Sequence, residues 1–195
     1  MDQKRLGTRI KYGLLGTTSG LLRFMREPYY AHFEGIIPDD FKGKHVHDLG
    51  CGDGRTSLRL KVYLEATGIT AYECEPRLVE AARKRGVDAR QIDLGKEMPQ
   101  GELAVLWGVL HHLTDKETVL RRIAERFDLV IINEPVKAWW SFLDGGEPLR
   151  IEEWIGLFDR ILGEENYEIH PWRDEIFVFW RKRLVRRQGS AESAD

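Results

Sequence analysis

The stretch Val46-His47-Asp48-Leu49-Gly50-Cys51-Gly52-Asp53-Gly54 decides the fold. It reads as a buried strand that ends on an acid, then a turn with glycine at every second position, then a helix. Glycine lacks a Cβ, so it can take φ > 0 and let the backbone come close to a ligand. A dinucleotide fingerprint is G-x-G-x-x-G after a strand. Here the third glycine comes one residue early, and an aspartate precedes the first.

The chain that follows keeps the same rhythm. Ile69-Thr70-Ala71-Tyr72-Glu73 has strand character and ends on an acid. An acid about 20 residues past a glycine turn, closing the second strand of a βαβ unit, reaches the ribose hydroxyls of a bound nucleoside. Glu75 competes for that role. Pro76 suits the first turn of a helix and puts Glu75 at its N-cap, so Glu73 is preferred. Residues 88–93 read as a third strand ending on Asp93, and residues 103–109 as a fourth, followed by Leu110-His111-His112-Leu113.

Asp-x-Gly-x-Gly-x-Gly with these strand-end acids resembles the class I S-adenosylmethionine (SAM) dependent methyltransferases. The resemblance covers roughly residues 45–182. It implies an α/β fold: a three-layer, doubly wound, mostly parallel seven-stranded sheet with an antiparallel last strand. It also implies SAM as cofactor. By position, Asp48, Gly50, Cys51 and Gly52 then hold the methionine end. Glu73 takes the ribose, Asp93 the adenine amino group, and Cys74 and Leu94 flank the adenine. Trp107 and Gly108 lie where the family's backbone carbonyl meets the methionine ammonium. One departure is expected. Asp93 to Glu102 is too short for the family's third crossover helix, so a loop is expected there.

Composition bounds the rest. With 195 residues, 42% hydrophobic and 32% charged, the chain reads as one soluble globular unit. The expected organisation is an N-terminal helical segment capping the site (1–44), the SAM-binding domain (45–183) and a disordered tail (184–195). No run approaches the roughly 20 apolar residues of a membrane span, and no signal peptide is read at the N-terminus. Two cysteines give neither a disulfide framework nor metal-ligand spacing and suit a reducing cytoplasm. A formal net charge of −2 exerts no pull toward nucleic acid, which is disfavoured as a partner. The oligomeric state is not readable.

Along the chain, Thr18 or Ser19 caps a helix through Leu21, Leu22, Phe24 and Met25, which Pro28 interrupts. Leu58, Leu60, Val62 and Leu64 alternate like a strand, but a parallel sheet needs a crossover there, so a helix is assigned. Thr114 is read as the N-cap of a helix over 115–126. Residues 128–133 are apolar on both faces, as in a central parallel strand. A helix over 151–162 and a hairpin around Asp174-Glu175 close the sheet. The basic end, Arg181-Lys182-Arg183 with Arg186 and Arg187, could touch phosphate, but an edge strand blunted by charge is the preferred reading.

The acceptor side offers candidates, each with a packing alternative. His111 or His112 is a candidate base, or a loop pin. Glu134 follows strand five and points to the acceptor region, or caps a turn. Trp139 and Trp140 roof a pocket, or pack under a loop. Tyr29 and Tyr30 close over it from the N-terminal helix, or join the core. The reading is methyl transfer to a small molecule. The alternatives are a protein or RNA acceptor, or a SAM-binding regulatory protein without turnover.

Overall fold

The computed structural model describes residues 19–137 and 146–182, with side chains from Glu27 onward. Seven strands form one sheet: β1 (His45–Leu49), β2 (Gly68–Glu73), β3 (Asp88–Gln91), β4 (Gly101–Trp107), β5 (Phe127–Pro135), β6 (Tyr167–Trp172) and β7 (Glu175–Arg181). Their order is β3-β2-β1-β4-β5-β7-β6. β7 runs antiparallel to both neighbours, and the other pairs are parallel. The expected α/β architecture is therefore present. β7 lies inside the sheet and β6 forms the edge, which corrects the reading of Arg181 as part of an edge strand. Arg181 is instead held by Asp40 and Glu168.

Among the described residues five α-helices cover the faces: α1 (Ser19–Ile36), α2 (Arg55–Tyr63), α3 (Pro76–Lys84), α4 (Lys116–Arg126) and α5 (Ile151–Leu162). Alternate residues of a strand face opposite sides. Accordingly Leu103 and Val105 join Phe33 of α1 and Leu60 of α2 in one core. Ala104 and Leu106 join Leu120 of α4 and Trp154 of α5 in the other. α3 packs through Val79 and Ala82 against Ala71 and Ala89.

α2 shows why alternation misleads. It buries Ser57 and Leu60 on one helical stripe, continued by the buried C-cap Leu64, and leaves Leu58 and Val62 at 39% and 70% exposure. Pro28 does not interrupt α1; the helix runs through it. An internal proline costs about 3 kcal/mol. Past it, Tyr30 and Phe33 are buried in the sheet-facing core, each contributing roughly 1.5–3 kcal/mol, which offsets that cost. The N-cap of α4 is Asp115, not Thr114, and its carboxylate accepts from Thr118 N. Residues 92–100 form no helix, as their length required, and Asp93 lies two residues past β3. No helix among the described residues is long and apolar enough to cross a membrane.

Candidate cofactor and active site

The glycine turn sits at the carboxyl end of β1, where open α/β sheets bind ligands. Gly50, Gly52 and Gly54 all have positive φ, at 87°, 56° and 81°. Two of them are packed tight: a Cβ on Gly50 would come within 2.6 Å of Val109 Cγ2, and one on Gly54 within 2.9 Å of Ala82 Cβ. Gly52 differs, since nothing lies within 4 Å of its Cβ position. The turn is fastened to β2, with Gly50 N and Cys51 N both donating to Tyr72 O at 2.7 and 2.9 Å. Those amides are committed, so the turn offers a ligand close approach rather than these donors.

Asp48 lies beneath the turn, 1% exposed, and accepts from the Ser57 hydroxyl at 2.5 Å. Burial pushes its carboxyl up to about 6; the Ser57 bond opposes this and the nearby Glu73 adds to it. Asp48 therefore ties β1 to α2 rather than reaching outward. Burial also pushes the Cys51 thiol up.

Glu73 closes β2 half-buried beside the turn. Its Oε2 accepts from Gly52 N at 3.1 Å, and its Oε1 from Cys74 N and Glu75 N at 2.8 and 3.0 Å. One carboxylate thus links the glycine turn to the entry of α3. Glu75 occupies the N-cap position of α3 but makes no side-chain cap bond. Cys74 is exposed, and burial of its sulfur together with Glu73 pushes its thiol up to about 11. Asp93 is exposed, with Oδ1 accepting from Gly95 N at 3.0 Å. Leu94 is buried. Lacking a helix, this loop is held by Arg122 of α4, whose guanidinium donates to the carbonyls of Leu94, Gly95 and Lys96 at 3.2, 3.1 and 3.0 Å.

At the end of β4, Trp107 is 9% exposed and Gly108 takes φ 67°. The turn that follows belongs to Glu134. Its Oε1 accepts from Val109 N and Leu110 N at 2.8 and 2.7 Å, and its Oε2 from His111 N at 3.2 Å. His111 Nδ1 is 2.7 Å from the same Oε2. A carboxylate can only accept, so Nδ1 carries the proton. Glu134 is fully buried with four donors on it. Of the two roles open to it in the sequence, turn capping is the one these bonds serve: Glu134 anchors the turn that carries His111. His112 is exposed, its ring 3.9 Å from that of His111.

Tyr30 stacks on Trp107 at 5.2 Å, and its hydroxyl is 2.9 Å from Thr56 Oγ1 at the start of α2. Arg59 lies over the Tyr30 ring at 4.4 Å and is paired with Glu27. Tyr29 reaches away to the β6–β7 turn, where its hydroxyl donates to Asp174. Burial and that carboxylate push it up to about 12. Trp139 and Trp140 lie outside the described residues. Asn133 and Glu175 were not expected: Asn133 Nδ2 donates to Glu175 Oε2 at 2.8 Å, both buried. The signal in the sequence was one amide closing an otherwise apolar run, Leu129 to Ile132.

The elements thus gather Asp48, Gly50, Cys51, Gly52, Glu73, Cys74, Asp93, Leu94, Trp107 and Gly108 at one end of the sheet, with His111, His112, Glu134 and Tyr30 beside them. A groove of about 460 Å³ lies elsewhere, between α4 and α5, and is lined by Asp115, Glu117, Glu153 and Arg160. Asp115, Glu117 and Glu153 are spent on a helix cap and ion pairs, and the groove lies away from the glycine turn, so it is not the site. Among the described residues no group of His, Cys, Asp or Glu could hold a metal ion. The donor set does fit SAM. Strand-end acids suit its ribose and adenine, and the open space at Gly52 admits a close backbone approach.

Comparison with known proteins agrees with this geometry. A methyltransferase-domain family matches residues 47–128. Trans-aconitate 2-methyltransferase of Mycolicibacterium gilvum (strain PYR-GCK) is 30% identical over 99 residues, covering 50% of this chain and 38% of that protein. Indolepyruvate C-methyltransferase of Streptomyces griseus is 27% identical over 137 residues, covering 62% and 40%. The chain therefore spans about two fifths of the length of these relatives. Among solved structures, the SAM-dependent methyltransferase SibL aligns with TM-score 0.67 at 15% identity, covering 83% of this chain and 56% of that one. The N-terminal domain of EvdMO1, crystallised with S-adenosylhomocysteine (SAH), aligns with TM-score 0.61 at 14% identity, covering 80% of each. The fold is the class I methyltransferase fold. The matched methyltransferase-domain family and the trans-aconitate and indolepyruvate methyltransferases are what this chain is similar to, over the glycine turn and the strands that follow it.

Proposed function

We propose that this chain binds SAM across the glycine turn and transfers its methyl group to a small molecule. The observation that carries the reading is Glu73. A strand-end carboxylate spans from Gly52 N to the entry of α3, beside a left-handed glycine facing open space.

SAM, when bound, supplies a methyl already activated on a positively charged sulfur. The chain's own task is then mainly alignment, which supplies about 7–11 kcal/mol. A general base adds about 10²- to 10⁴-fold where the acceptor must lose a proton. Glu73 holds the ribose hydroxyls and Asp93 the adenine amino group, with Cys74 and Leu94 as the adenine walls. Asp48, Gly50, Cys51 and Gly52 shape the methionine end, and Gly108 with the Trp107 backbone meets the ammonium. His111 or His112 serves the acceptor as base, and Glu134 acts by holding His111. Tyr30 encloses the acceptor, with the segment of α1 around it as the cap. Tyr29 fastens that segment to the β6–β7 turn.

A small acceptor is supported by the relatives, which are named for trans-aconitate and indolepyruvate. Two unpaired cysteines support a reducing, cytoplasmic location. Calorimetry with SAM, SAH and NAD tests the cofactor, and SAH release with those two acids tests turnover. SAM and SAH are expected to bind and NAD not to bind. Preferential NAD binding would overturn the reading. SAM binding without turnover of any small acceptor would favour the regulatory alternative.

A further inference from the structure

The Trp107 indole is more than nine-tenths buried, yet its Nε1–H has no hydrogen-bond partner. A buried unsatisfied donor costs about 1–3 kcal/mol, so it calls for a physical explanation. The described residues around it supply none. The ring is stacked by Tyr30 at 5.2 Å and met edge-on by Phe33 and Phe177 at 5.0 and 5.8 Å. The Tyr30 hydroxyl is engaged with Thr56. Asn133, its register neighbour on β5, has its amide N–H groups directed at Glu175 and the Ile176 carbonyl.

Position completes the argument. Trp107 is the last residue of β4, at the carboxyl end of the sheet. Its backbone faces the proposed cofactor end, and its side chain lies on the α1 face, in the core built by Phe33. A neutral donor in an aromatic wall, at the end of the sheet where the proposed function puts the ligands, suits an oxygen lone pair, since aromatic surface gives enclosure and a few polar groups give orientation.

We propose that Trp107 Nε1–H is the donor that selects the methyl acceptor, and that the acceptor presents a carbonyl or carboxylate oxygen to it. This rests on the methyltransferase reading above. A site built to hydrogen-bond its substrate rejects analogues lacking the partner, because the buried donor is then left unpaired.

The test uses the full chain with SAM and four probes. Indolepyruvate has a ketone and a carboxylate, trans-aconitate has carboxylates only, and catechol and histamine have neither group. Turnover is expected on one or both acids and not on catechol or histamine, and trans-aconitate turnover assigns the contact to a carboxylate. Trp107→Phe keeps an aromatic ring and removes the N–H. It is expected to raise KM for the acid about 10-fold or more, one ordinary hydrogen bond, and by a larger factor than it changes SAM affinity. Turnover confined to catechol or histamine, an unchanged KM, or a SAM-binding wild type that uses neither acid would overturn the proposal. If the variant does not fold, indole ¹⁵N–¹H spectra of the SAH-bound wild type decide. The Trp107 N–H resonance should move downfield with the acid, and an unmoved resonance refutes the contact. A wild type that binds no SAM sinks the methyltransferase reading first, and this inference with it.

Discussion

Glu134 fixes the tautomer of His111: its Oε2 lies 2.7 Å from His111 Nδ1, while the same carboxylate takes the amides of Val109, Leu110 and His111. With the proton on Nδ1, the neutral ring keeps its lone pair on Nε2. The side chain that sets the turn after β4 therefore also sets the chemistry of the imidazole it carries.

Glu134→Gln should accordingly act on both. An amide has one acceptor oxygen and turns a donor toward groups that are themselves donors. Loss of roughly 2–4 kcal/mol of stability is expected. Methyl transfer should fall about 10²-fold, the scale of a displaced base. Thermal melts and SAH release check this. Full stability with reduced transfer would return Glu134 to a direct catalytic role.

The glycines of the turn make a contrasting pair. Gly50→Ala puts a Cβ 2.6 Å from Val109 Cγ2 at φ 87°, so overpacking and left-handed strain add, about 2–5 kcal/mol together. Gly52→Ala meets no protein atom and carries only the strain, about 1–2 kcal/mol. Its methyl projects into the proposed ligand space, so SAM affinity should fall about 10-fold or more. Melting temperature and calorimetry separate the two. Equal SAM affinity of Gly52→Ala and wild type would place the cofactor elsewhere.

Arg122 is a third point of control. Its guanidinium stands in for the missing crossover helix by gathering three carbonyls of the loop after Asp93. Arg122→Met should cost about 1–2 kcal/mol in stability. It should also weaken SAM binding several-fold, with faster hydrogen exchange confined to residues 93–97. An exchange pattern changed only within α4 would show that the loop holds itself.

Much of this was legible in the sequence. Strand-end acids, the glycine spacing and the apolar run of β5 are local signals, and each marks an element the structure contains. Four features were not settled by local sequence. Pro28 reads as a break because its cost is local, whereas the burial of Phe33 that offsets it comes from β7 and β4. Thr114 and Asp115 are adjacent cap formers, and only the helix start decides between them. Glu134 reads equally as an acid for chemistry or for capping until its four donors are placed around it. Arg122 carries no motif, because its partners are backbone carbonyls about 27 residues away.

Asp48 gives the pH dependence. An unfolded aspartate titrates near 3.9, whereas burial lifts Asp48 to about 6. The folded chain thus holds the proton more tightly than the unfolded one. The stability this adds is fully present below about pH 4 and is lost as pH rises through about 6, roughly 2–3 kcal/mol in all. Asp48→Asn removes the buried charge and keeps a polar group for the Ser57 hydroxyl. It should match the wild type below about pH 4 and be the more stable of the two above about pH 6. Ser57→Ala should act oppositely on the titration: without the hydroxyl that stabilises the charged form, the wild-type inflection moves to higher pH. Melting temperatures of the three proteins from pH 4 to 8 check both statements. Parallel curves for wild type and Asp48→Asn would show that Asp48 stays charged when buried, and that something other than Ser57 compensates its charge.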